Sequence, residues 1–167
     1  IFSTMCLVPL ISKNIDIPII AAGGISCGKS MLAAISLGAD GIQIGSRFAV
    51  SKESSAHINF KNQVIEAKEG DTILTMKDIT PVRLIKNEFY DHITRMYSQK
   101  KSTEEIREFL GKGRAKNGIF DGDLTNGELE IGQVSCSIEN ISSAKEIIES
   151  IIIEYKSQLS KVNQDFD

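Results

Sequence analysis

The sequence predicts an α/β fold, and three observations carry that prediction. Two short apolar segments, 17–22 and 41–44, each run straight into a glycine turn, Gly23-Gly24 after the first and Gly45-Ser46 after the second. A single helical stretch, 29–37, joins them and stops at Gly38. Beyond Phe48 the pattern changes to amphipathic helices separated by polar loops. A strand, a helix and a second strand in that order make a parallel β/α step. Parallel neighbours point the same way, so both glycine turns should emerge on one edge of the sheet.

The elements follow in order. Residues 5–11 are apolar and read as a short helix with Pro9 near its first turn. The strand 17–22 is continuously apolar, the habit of a parallel strand buried on both faces. Met31, Leu32 and Ile35 give the helix 29–37 its buried side, and Gly38 supplies the left-handed residue that ends it. Strand 41–44 comes next. Ala56, Phe60 and Val64 recur every four residues, with Lys61 and Glu66 opposite, which predicts a surface helix. Segments 71–76 and 82–85 read as extended, and 91–101 as helical. Ser102-Thr103-Glu104-Glu105 is a capping box opening a helix to Leu110. The stretch 111–127 is rich in Gly, Asn and Asp and reads as mostly loop, and 128–137 as a strand or turn. Ser143-Ala144-Lys145-Glu146 is a second capping box, opening a helix with a stripe of Ile147, Ile148, Ile151, Ile152, Tyr155 and Leu159.

Composition bounds the function. The chain has 167 residues, 41% of them hydrophobic and 25% charged, the mixture of a globular protein. A net charge of -3 with interspersed signs gives nucleic acid and anionic membrane no handle. Cys6, Cys27 and Cys136 form no C-x-x-C pair, so a reducing cytoplasm and a role as small buried hydrophobes are expected. No apolar run reaches the roughly 18 residues of a membrane span. The opening, Ile1-Phe2-Ser3-Thr4-Met5, lacks a leader pattern and reads as the interior of a longer protein. Two parallel strands also need partners to close a sheet.

Gly23 to Ser30 matches the nucleotide-triphosphate loop pattern, reading Gly-Gly-Ile-Ser-Cys-Gly-Lys-Ser. The context argues against it. The following strand ends in Gly45-Ser46 instead of a metal-binding carboxylate, and the intervening helix is too short for such a crossover. The better reading uses both turns. Gly23, Gly24 and Gly45 lack Cβ atoms and let the backbone approach a phosphate, and Ser46 adds a hydroxyl. Loops after the last two strands of a (β/α)8 barrel form such a phosphate site. The plainer alternative is that these glycines only make tight turns. Asp121-Gly122-Asp123 reads as a turn, since it lacks the further ligands of a calcium loop, and no metal site is expected.

Three blocks carry a family resemblance: Ala21-Ala22-Gly23-Gly24-Ile25, Leu37-Gly38-Ala39-Asp40-Gly41-Ile42-Gln43-Ile44-Gly45-Ser46-Arg47-Phe48, and Lys52-Glu53-Ser54-Ser55-Ala56-His57 with Phe60-Lys61. With Asp71-Thr72, Val82-Arg83, Lys86-Asn87 and 128–133, the chain resembles the nitronate monooxygenase (2-nitropropane dioxygenase) family, related to the FMN-dependent enoyl-acyl-carrier-protein reductase II. The resemblance implies the last two β/α units of an FMN-binding TIM barrel over 1–50, a helical and loop C-terminal lobe over 51–162, and a frayed tail over 163–167. It implies an oxidoreductase that denitrifies alkyl nitronates with O2, acting on a small-molecule substrate. It assigns FMN phosphate binding to Gly23 and Gly24 after one strand and to Gly45 and Ser46 after the next. The family commonly has Gly-Thr at the second place, and serine keeps the hydroxyl. Ala22 and Gln133 are implied to lie near the cofactor, although Val134-Ser135-Cys136 departs from the family's small-residue pattern. The family's catalytic histidine sits in a Gly-Gly-His segment that this chain does not contain, so no catalytic residue is assigned and the chain alone is expected to be inactive. His57 and His92 are the only histidines, the first expected in a surface or helix-packing role and the second exposed on a polar helix. Arg47 and Lys29 stand near the turns, each as easily an ordinary surface cation. Other functions stay open: an NAD(P)H-dependent enoyl reductase, a flavin-free phosphate-binding barrel of the inosine-monophosphate dehydrogenase type, and a packing module without ligand.

Overall fold

The computed structural model describes residues 2–164, and the chain divides into two units. The first contains the segment up to Glu53 and resumes at Ser142; the second is Ser54–Ile141. The division differs from the boundaries expected at 50 and 162, because the last helix joins the glycine-turn segment instead of the lobe. Of the expected tail, 163 and 164 continue that helix, and 165–167 lie outside the described residues.

In the first unit α1 (Thr4–Ser12) leads to β1 (Ile20–Ala22), α2 (Gly28–Ser36), β2 (Gly41–Gln43), the single turn α3 (Ser46–Ala49) and, after the second unit, α8 (Ala144–Gln164). β1 and β2 pair in parallel, Ile20 with Gly41 and Ala22 with Gln43. The strand is shorter than expected at its start for a local reason. Pro18 has no N–H to give a ladder, and the Ile19 N–H goes to the Asp40 carboxylate at 2.8 Å. Nor is β1 covered on both faces: Ala21 is buried, while Ile20 is 60% exposed. Val8, Ala21, Ile25, Ala34 and Ala39 form the core, with Leu37, Ile42 and Ile44 against it. Pro9 lies in the interior of α1, not its first turn. At the C-terminal end of α1, carbonyls without a helical partner are taken by side chains, Asn14 donating to Leu10 O at 2.6 Å and Ser12 to Pro9 O at 3.3 Å.

Helix α8 begins with the expected box, Ser143 N–H donating to Glu146 Oε2 at 2.7 Å and Glu146 N–H to Ser143 Oγ at 3.2 Å. Ile147 and Ile151 are buried, whereas Ile148 and Ile153 stand exposed. The apolar stripe is therefore wider than the face that packs.

The second unit contains α4 (Ile58–Glu66), an antiparallel pair β3 (Thr72–Thr75) and β4 (Val82–Ile85), α5 (Glu88–Ser98), α6 (Thr103–Leu110), α7 (Arg114–Ile119) and a 3-10 turn over Gln133–Ser137. Its core is Met76, Leu84, Phe89, Ile93 and Ile106. Lys61 is not on the solvent face of α4: it is buried, and its ammonium donates to Ser54 O at 2.8 Å. Part of the expected loop 111–127 is helix α7. Gly118 serves close packing there, since a Cβ on it would lie 2.7 Å from Glu128 O. The Ser102 box forms as expected. Cys6 and Cys136 are exposed, not buried, and all three cysteines are free.

Candidate functional site

The parallel register decides where the glycine turns lie. Ala22 pairs with Gln43, so the chain leaves both strands on the same edge, Gly23-Gly24 on one side and Ile44-Gly45-Ser46 on the other. Parallel strands stand about 4.8 Å apart, which puts the two turns within reach of one tetrahedral anion. Gly23 has φ +97° and Gly24 φ +74°, a left-handed conformation that side chains resist. This pair turns the backbone out of the sheet and ends the ladder at Ala22.

The turn is gripped from below. Ile25 is buried in the core, and the Thr4 hydroxyl on the first turn of α1 lies 2.8 Å from Gly23 O and 3.2 Å from Ala22 O. Above, it is open: a Cβ built at Gly24 or at Gly45 would meet nothing within 4 Å. Among the described residues the backbone N–H groups of Gly24 and Gly45 form no hydrogen bond. Unspent N–H donors on residues without a side chain suit an anion, because they offer partial positive charge with nothing to be displaced. Ser46 begins α3 directly after Gly45.

The triphosphate-loop pattern in the same segment is closed to such a ligand. Ser30 Oγ accepts the N–H groups of Ser26 and Cys27, both at 3.1 Å. The Gly28 N–H donates to Glu154 Oε2 on α8 at 2.6 Å. A helix N-terminus is an anion site only while its donors are free, and here a carboxylate of the same chain holds one. Lys29, the lysine of that pattern, is 4.0 Å from Glu154. Gly28 is glycine because α8 lies on it, a Cβ there falling 2.2 Å from Tyr155 N.

Five of the six expected cofactor residues, Ala22, Gly23, Gly24, Gly45 and Ser46, are thus brought to one edge of the first unit. Gln133 opens the 3-10 turn of the second unit, its side chain exposed. Sequence reasoning missed Thr4, which stands just before the expected apolar helix 5–11, and Glu154, 126 residues from its partner. A spacing rule could find neither. The histidines are occupied in the second unit: His57 Nδ1 accepts the Asn59 N–H at 3.1 Å, and the His92 ring stacks on Phe109 at 4.8 Å. Asp123 makes the expected turn, accepting the N–H groups of Thr125 and Asn126. Among the described residues no group of His, Cys, Asp and Glu could hold a metal, and no helix is long and apolar enough to cross a membrane.

Comparison with known proteins supplies the class. The nitronate monooxygenase family model matches residues 2–154. A "Probable nitronate monooxygenase" of Staphylococcus saprophyticus is 34% identical over 154 residues, 91% of this chain and 42% of that protein. Among solved structures, FabK from Thermotoga maritima superposes with a TM-score of 0.92 at 34% identity, covering 98% of this chain and 52% of that one. Nitroalkane oxidase from Streptomyces ansochromogenes follows with a TM-score of 0.75 at 25% identity, covering 96% and 46%. The chain therefore spans about half the length of the relatives it matches. Mixed α/β architecture and these matches define the family. The chain belongs to the nitronate monooxygenase family.

Proposed function

We propose that this chain is the phosphate-anchoring part of an FMN-dependent oxidoreductase, with the fold of the last two β/α units of a TIM barrel and a C-terminal lobe. The reaction is oxidative denitrification of alkyl nitronates with O2. One observation carries the reading: two glycine turns on neighbouring parallel strands present unspent N–H groups, at Gly24 and Gly45, to open space. Five residues fit the FMN phosphate, with Gly23, Gly24, Gly45 and Ser46 around it and Ala22 beside it. Gln133 is the sixth candidate, assigned by resemblance alone. When bound, the isoalloxazine ring supplies the electron-transfer chemistry. The residues here bind and orient: backbone N–H donors fix the dianion without any proton transfer, and the absence of Cβ atoms keeps the cradle clear.

In the intact protein, Gly24→Val or Gly45→Val should abolish the yellow chromophore while the circular dichroism spectrum is retained. Wild-type flavin occupancy in both variants would defeat the phosphate assignment. The 0.92 TM-score to FabK favours one second reading, reduction of an enoyl thioester by NAD(P)H. Rapid reduction of the purified protein by NADH, with no O2 uptake on adding a nitronate, would select it.

A further inference from the structure

The Thr4 hydroxyl holds the backbone of the Gly23 turn, and its place has a consequence for the neighbouring N–H. Oγ1 lies 2.8 Å from Gly23 O and 3.2 Å from Ala22 O, so its single proton is shared between two successive carbonyls, chiefly that of Gly23. A peptide unit is planar and trans, and its C=O and N–H point in opposite directions. Anchoring Gly23 O on Thr4 therefore turns the Gly24 N–H away from the Thr4 hydroxyl. The anchor is itself rigid. Thr4 is the first residue of α1, whose backbone is tied at Ser3 O by the N–H groups of Cys6 and Leu7. Val8 of the same helix is buried in the core. Two consecutive left-handed glycines resist rotation weakly by themselves, so without an anchor the Gly23–Gly24 peptide can flip and withdraw its donor.

We propose that Thr4 is a positioning residue for anion binding, acting by fixing the Gly23–Gly24 peptide plane so that the Gly24 N–H faces the ligand phosphate. This rests on the phosphate reading above. The consequence is selective: loss of the hydroxyl weakens a ligand that carries the phosphate and spares the same ligand without it.

The test is titration of the flavin-depleted intact protein with FMN and with riboflavin, following flavin fluorescence. Thr4→Val keeps the shape and removes the donor. It should lower the FMN-to-riboflavin affinity ratio about five- to tenfold, the worth of one ordinary hydrogen bond. Thr4→Ser should restore the ratio. Gly24→Val is the control for the underlying reading and should abolish the preference for FMN. An unchanged ratio in Thr4→Val beside a collapsed one in Gly24→Val would overturn the role of Thr4 and leave the phosphate site standing. Equal weakening of both ligands in Thr4→Val would also overturn it, marking the residue as merely structural. An unchanged ratio in both variants would overturn the phosphate reading and the proposal with it.

Discussion

Gly24 and Gly28 stand four positions apart and are glycine for opposite reasons. Gly24 has a left-handed backbone beside empty space, whereas Gly28 is pressed against the backbone of α8, with Ile151 O 2.5 Å from a would-be Cβ. The cost of adding a methyl should separate them. Gly24→Ala carries only conformational strain, on the order of 1 kcal/mol. Gly28→Ala must move a helix backbone and lose the bond to Glu154, costing about 2–3 kcal/mol. Urea unfolding of the two variants reads the difference directly, and equal midpoints would show that α8 does not lie on α2 as described. Both residues belong to one pattern that in sequence looks like a nucleotide loop. What the pattern could not reveal was Glu154, because a contact across 126 residues leaves no local trace.

At the scale of elements, the helix starts marked by capping boxes were legible, whereas α5 begins at Glu88, ahead of the expected 91. Both capping boxes, at Ser102 and Ser143, form with the expected partners, because a cap depends on residues only three apart. Strand ends were less legible, since the Ile19 N–H answers to Asp40 across a helix. The glycine-rich segment misled for a related reason: glycine signals equally a turn and a close backbone approach, and Gly118 is the latter. The α8 cap makes its own prediction. Bonds from the Ser143 N–H and hydroxyl, with Lys52 nearby, hold the Glu146 carboxyl down at about 2. A depressed pKa contributes stability that is complete above the unfolded value near 4.5 and is lost as pH falls toward 2. Helicity of α8 should accordingly fade below pH 4.5, and Ser143→Ala should cost about 1 kcal/mol at pH 7. Acid titration followed by circular dichroism checks both, and a flat profile from pH 5 to 2 would refute the cap. In the second unit the sign reverses. Burial, then the neighbouring Glu130, pushes the Glu128 carboxyl up to about 7. The charge of Arg114 opposes the rise without cancelling it, its guanidinium donating to the carbonyls of Phe109, Leu110 and Asn126. Glu128 also lines a cavity of about 330 Å³ with Met76, Ile79, Val82 and Leu110. A raised pKa gives stability that is complete below about 4.5 and lost as pH rises through 7. Glu128→Gln should therefore stabilise the protein at pH 8 by about 1 kcal/mol, a figure reduced for the half-exposed carboxyl, and flatten the loss between pH 5 and 8. Destabilisation at pH 8 would show that Glu128 has an ionic partner.

For the molecule as a whole, the order of β/α units and the edge carrying both glycine turns were readable before any coordinates, because strand polarity fixes which ends neighbour each other. The grouping of α8 with the first unit was not, since its apolar stripe runs wider than the face it buries and named no partner. The cradle itself was legible only as bare backbone; that its N–H groups stay unspent, and that Thr4 orients one of them, required the fold. The proposed function requires that Gly24 and Gly45 together hold one phosphate. The most direct measurement is a crystal structure of the intact protein with FMN. The account predicts phosphate oxygens within about 3 Å of the Gly24 and Gly45 nitrogens, a normal hydrogen-bond length. A phosphate bound at any other edge, with both glycine turns left empty, would contradict it.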